Sequence, residues 1–167
     1  MNKKAISIMV GYVLLITISV IMGAIVYKWM KSYVPQETIE CPEGVSIFIK
    51  ELTCNVQGNE YFLNLSLVNN GRFNINGYFI KSAENINSPV AGRDISNNII
   101  SGGNAAGGVV RWPSVLEPGQ EAPKAVFKLN NNVAFIEVTP IIYKTIENKI
   151  KLINCGKAKV RENVICE

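Results

Sequence analysis

Four cysteines, Cys41, Cys54, Cys155 and Cys166, are the side chains best able to do covalent chemistry in this 167-residue chain. None belongs to a C-x-x-C pair and the chain has no His. A zinc site would therefore need all four thiolates at spacings foreign to structural zinc motifs. Disulfide formation is the better fit, and it implies an oxidising compartment. The absence of His also removes the commonest general base and any Ser-His-Asp set. The Gly-rich run 101–108 lacks the Lys and Ser/Thr of a phosphate loop, and no carboxylates pair at a recognisable spacing. No enzyme, cofactor or metal is expected from these residues. Asn64-Leu65-Ser66 is an N-x-S sequon, which makes Asn64 a candidate glycosylation site.

Four cysteines allow three pairings. A straight strand from Val45 to Cys54 would extend about 30 Å, while the chain from Val45 back to Cys41 reaches only roughly 13 Å. A Cys41–Cys54 bridge would thus require a bent or broken strand. Antiparallel neighbours keep a constant sum of residue numbers, and the sum for 41 with 166 nearly equals that for 54 with 155. The expected pairs are therefore Cys41–Cys166 and Cys54–Cys155, with the first strand beside the segment around 155–166. Each would close a loop of more than a hundred residues, for which the chain-entropy view gives about 4–5 kcal/mol at most.

The elements that carry these residues separate sharply by composition. The chain is 48% hydrophobic and 18% charged, with a net charge of +4 and a mean hydropathy of +0.17. Much of the apolar excess lies near the beginning. From Ala5 to Tyr27 no residue is charged, and a helix of that length spans roughly 34 Å, enough for a bilayer core. Lys28, Trp29, Lys31 and Tyr33 then form a basic and aromatic collar suited to a membrane–water interface. Lys3, Lys4, Lys28 and Lys31 account for the whole charge excess, because the remaining bases equal the 13 acids. The body beyond the helix is neutral, and no nucleic-acid partner is expected.

Three readings compete for the apolar segment. A secretory signal needs a short apolar region followed by a small-residue cleavage site, but here Met22-Gly23-Ala24 is followed by more apolar residues. A plain membrane anchor is the second reading. The third rests on the start of the chain: Met1-Asn2-Lys3-Lys4-Ala5 is a very short basic leader, and Ile6-Ser7-Ile8-Met9-Val10-Gly11 opens the run. In this it resembles the archaeal type IV pilins. The resemblance implies that Lys4, Ala5 and Ile6 form a processing site at which prepilin peptidase cuts before Ile6. It also implies that Ile6, Ser7 and Gly11 head the mature helix. Ile8 stands where haloarchaeal relatives often have Pro, and Val10 where bacterial pilins have Glu.

The charge arithmetic agrees with such a cut. Two unpaired ammonium groups among packed helices would cost several kcal/mol each, whereas a permanent anchor can keep them. Ser7 and Gly11, and again Ser19 and Gly23, lie four apart, so each pair offers a small-residue face for helix packing. The resemblance further implies a homopolymer of this subunit, held in the membrane before assembly and extruded by an assembly ATPase and a platform protein. The resulting surface filament would support adhesion. The alternative is a single-pass, membrane-anchored β-domain that binds a partner and never polymerises.

Beyond Pro35 the pattern is that of strands. Strands are predicted at 45–49, 61–68, 73–80, 125–129, 134–139 with 141–143, and 149–153. Asn69-Asn70-Gly71 and Pro118-Gly119 signal turns. The stretch 85–108 reads as a long surface loop with a short strand at Ile99-Ile100. The expected fold is α+β, mainly β: a long N-terminal hydrophobic helix followed by an immunoglobulin-like β-sandwich. The expected divisions are a leader at 1–5, a helix at 6–34, a linker at 35–40 and a β-sandwich ectodomain at 41–167.

Overall fold

The structure is a computed structural model that describes residues 3–33, 40–146 and 148–167, with residues 3–8 and 32 described by backbone alone. The chain divides into two compact units, Met1–Ile39 and Glu40–Glu167. The first unit is one helix, α1 (Lys3–Tyr33), as expected. The linker expected at 35–40 lies, save for Glu40, outside the described residues.

Among the described residues, the second unit holds eleven strands in two antiparallel sheets. One sheet contains β1 (Ile47–Gln57), β2 (Glu60–Asn69), β8 (Ala125–Leu129) and β5 (Ile99–Ser101), in that order. The other runs β10 (Lys149–Asn154), β9 (Phe135–Ile146), β3 (Gly77–Ala83), β7 (Val109–Arg111) and β6 (Asn104–Ala106). Two short strands complete it: β11 (Val160–Asn163) beside β9 and β4 (Arg93–Asp94) beside β3. If β1, β2, β3, β5, β8, β9 and β10 take the letters A to G, the sheets read ABED and GFC, the immunoglobulin order. Strands β4, β6, β7 and β11 are additions to that frame.

Period-two alternation builds the core. Leu63, Leu65 and Leu67 on β2 and Ala125, Phe127 and Leu129 on β8 are buried on one sheet; Tyr78 and Ile80 on β3 and Ile136 and Val138 on β9 are buried on the other. Between β1 and β2 the chain turns through Gly58, whose φ of +64° suits the first central position of a two-residue hairpin. Strand β9 continues through Pro140. That residue falls between the part of β9 paired with β11, up to Val138, and the part paired with β10, from Ile141. A residue without an N–H is tolerated where the ladder changes partner.

Two sequence expectations need correction here. The strand expected from 73 begins only at Gly77, because Phe73–Asn76 serves the turn. The buried Asn69 side chain donates to the carbonyls of Phe73 and Leu116, each at 2.9 Å, and its oxygen accepts the Gly71 N–H at 3.0 Å. The stretch 85–108 is not an open loop either. It holds β4, a 3-10 turn at Ser96–Asn98, β5 and β6. Gly102 carries the crossover from β5 in one sheet to β6 in the other, with φ +85° and no room for a Cβ against the backbone of Lys124 and Ala125. At Gly102 the glycine is demanded by that close approach and by its positive φ.

Tyr78 gives a prediction. Its ring is fully buried, packs 5.1 Å from Trp112 between centroids, and its hydroxyl has no hydrogen-bond partner among the described residues. Burial pushes its ionisation above the ordinary tyrosine range. The folded state therefore keeps a proton that the unfolded state releases above about pH 10, so stability is intact below that pH and falls as pH rises. Tyr78→Phe is expected to raise unfolding free energy by about 1 kcal/mol at neutral pH and to flatten the alkaline decline. Urea unfolding of both proteins across pH 7–11 checks both outcomes.

Candidate functional site

Within the first unit, the residues expected to form a processing site fall at the start of α1. Lys4, Ala5 and Ile6 are helical in backbone, and the Ala5–Ile6 bond lies among the first residues, whose N–H groups lack intrahelical carbonyl partners. Ser7 lies one position beyond, its side chain outside the described residues.

The span Met9–Lys31 is long and apolar enough to cross a membrane. Its surface is apolar all round, as suits a span surrounded by lipid or by other helices. Its two aliphatic hydroxyls, on Thr17 and Ser19, are satisfied internally. Thr17 Oγ1 donates to the Leu14 carbonyl at 2.9 Å, and Ser19 Oγ to the Leu15 carbonyl at 2.8 Å, so neither presents an unmet donor to an apolar medium. Gly11 and Gly23 leave open notches, with no atom within 4 Å of where a Cβ would sit. The pairing of Ser19 with Gly23 is thus a hydroxyl turned back on its own helix beside a bare backbone notch, which leaves the surface smooth and small.

At the other end, Trp29 and Tyr33 meet edge to face with centroids 4.7 Å apart. Lys28 and Lys31 stand beside them, and Lys31 lies in the last turn, where a cation complements the helix dipole. Of the collar expected from sequence, the two rings Trp29 and Tyr33 share one face of the helix and touch.

The cysteines in the second unit correct the expected pairing. The bridges are Cys41–Cys155, with Cα atoms 5.1 Å apart, and Cys54–Cys166, at 4.5 Å. Neither Cys41–Cys166 nor Cys54–Cys155 forms. The first strand does lie beside the segment expected, but parallel to it: Cys54 and Cys166 form a parallel bridge, the Val56 N–H donates to the Glu167 carbonyl at 2.8 Å, and the Glu167 N–H to the Cys54 carbonyl at 3.1 Å. Parallel neighbours keep a constant difference of residue numbers rather than a constant sum, and the two separations are 114 and 112. A β-bulge between Ile49 and Glu51 adds a second effect. It switches the phase of β1, so that Ile47 and Cys54 are both buried although one is odd and the other even.

Asn64 lies on β2 between β1 and β8, opposite Thr53 and Val126. Its side chain is half-buried and donates to Thr53 Oγ1 at 3.2 Å, while Ser66 of the same sequon is buried. The amide is on the outer face of a paired central strand, so a glycan there would have to be added before the strand is paired.

The other sheet brings together residues that sequence reasoning did not single out. On its outer face the register aligns Asp94 (β4), Lys81 (β3) and Glu137 (β9) in one row, and Phe79 with Thr139 in the next. Lys159 donates to the buried Glu137 carboxylate at 3.1 Å. These residues and Asn154 line a cleft of about 600 Å³. Outside the cleft lining, the Arg161 guanidinium lies 3.5 Å over the Phe135 ring and donates to the carbonyls of Ile86 and Ser88, which ties down the segment leading to Val90. The residues come from four distant segments, so only the strand register could have revealed them.

Compared with known proteins, the chain matches no family model, no curated protein and no solved structure.

Proposed function

We propose that this chain is the structural subunit of an archaeal type IV pilus-like surface filament. Prepilin peptidase would release it at Ala5–Ile6, and it would polymerise through α1 with the sandwich outermost. The observation that carries this reading is the helix itself, whose Met9–Lys31 span is long and apolar enough to cross a membrane, with the Thr17 and Ser19 hydroxyls bonded internally and Lys3-Lys4-Ala5 at its start. A helix that exchanges lipid for neighbouring helices keeps its apolar surface covered throughout, and only the leader lysines would have to go. An assembly ATPase and a platform protein would supply the extraction work, and the exposed sandwich would support attachment. The two disulfides of the second unit suit an exported location.

The length of the same helix also favours a second reading, a permanently anchored β-domain that never polymerises. N-terminal sequencing of material sheared from the cell surface separates the two. Ile6 as first residue is expected; Met1, Asn2 or Lys3 as first residue overturns the filament subunit and leaves the anchored domain.

A further inference from the structure

The cleft on the outer face of the β10-β9-β3 sheet is a built site of mixed chemistry, and we propose that it binds a neutral sugar unit of a glycan. Its charges cancel: Lys81 and Lys159 stand against Asp94 and Glu137 in one small lining. A ligand with net charge gains no field from such a surface, whereas a neutral polar ligand can use each charge as a local hydrogen-bonding group.

The donors and acceptors point to hydroxyls. Asp94 Oδ1 already accepts the Ser96 N–H at 2.9 Å, while Oδ2 takes no hydrogen bond among the described residues and faces Gly108. A Cβ at Gly108 would come within 3.0 Å of that oxygen, and Gly107 and Gly108 both hold positive φ, at 61° and 78°. The missing side chain at Gly108 thus leaves space beside that acidic oxygen. Lys81 lies in register between Asp94 and Glu137 and makes no ion pair within 4.0 Å among the described residues. The Asn154 amide and the Thr139 hydroxyl complete the lining. An ammonium only donates, a carboxylate only accepts, and an amide does both. Sugar hydroxyls can donate or accept as each position requires, which few other neutral small groups can do around a whole ring.

The apolar part fits the same ligand. Phe79 lies in the row beside this polar set, partly exposed, with Val90 and Ala91 alongside. An aromatic face next to hydrogen-bonding groups matches a pyranose, which carries C–H bonds on its faces and hydroxyls around its edge. The cleft volume of about 600 Å³ falls in the range of small-ligand sites. This site is independent of whether the chain polymerises.

The test is a titration of the full chain in a sugar-free zwitterionic detergent, read by saturation-transfer NMR. The probes are the methyl glycosides of glucose, galactose and mannose, and N-acetylglucosamine. Glucuronate, glucosamine and a neutral tripeptide amide serve as comparisons. At least one neutral sugar is expected to bind saturably in the millimolar range, and more tightly than any comparison compound. Phe79→Ala should weaken that binding roughly tenfold through loss of the ring face. Asn154→Ala, at an exposed position outside the core, should weaken it about fivefold through loss of one hydrogen-bonding group. Absence of saturable binding by every neutral sugar overturns the proposal. So does binding that survives unchanged in Asn154→Ala, or a tripeptide or charged sugar that binds as well as the best neutral one.

Discussion

Replacing Cys54 and Cys166 together by alanine is expected to lower the unfolding free energy of the second unit by about 3–5 kcal/mol. The bridge joins residues 112 apart, so its loss frees a long loop in the unfolded chain, and the entropy of that freedom favours unfolding. A second cost arises in the folded state. The two backbone hydrogen bonds linking β1 to Glu167 are held in register by the same bridge, and without it the open edge of β1 is exposed to solvent and to other strands. The Cys41–Cys155 bridge closes a loop of nearly equal length, with a separation of 114, and replacing both its cysteines should cost a similar amount. Guanidinium unfolding of the full chain in detergent, followed by strand circular dichroism, measures both. Non-reducing peptide mapping must first return Cys41 with Cys155 and Cys54 with Cys166; a peptide joining Cys41 to Cys166 would contradict the fold.

Val20→Asp is the second substitution with a large expected effect. Val20 is exposed at the middle of the apolar span, far from both charged ends. A carboxylate at the centre of a membrane helix costs about 2.5–3.5 kcal/mol on the insertion scale, on the order of a hundredfold in an equilibrium constant. The rest of the span is apolar enough that the precursor still inserts. Between packed copies the same group recurs on every subunit with no cation beside it, since the span carries none between Ala5 and Tyr27. Membrane insertion, read by protease protection, is therefore expected to persist while the yield of sheared filaments drops to none. Filaments at the normal yield would refute the proposed packing of this helix, and loss of insertion would show that the span has too little apolar surplus.

The helix was legible from the sequence because its signal is local: an uncharged apolar run bounded by lysines and aromatic rings forms its hydrogen bonds within itself. The strands at 125–129 and 149–153 were legible for the same reason, since alternation and nearby turn residues mark them. The hairpin through Gly58-Asn59, the short strands β6, β7 and β11, and the ordered course of 85–108 were not. Their residues are too few to show a period, and they are held by partners elsewhere in the chain. In the cleft, Phe79 and Asp94 carry no mark of their role until β4, β3 and β9 are set side by side.

By itself, then, the sequence determined a helix able to cross a membrane, a neutral β-rich body, and four cysteines suited to disulfides rather than to a metal. Which cysteines meet, and which outward side chains share a cleft, was decided by the tertiary structure. The physical reason is register. A strand's neighbours depend on the direction in which distant segments return and on single-residue bulges such as that at Ile49/Glu51, and each reverses which side chains face each other without changing the local pattern.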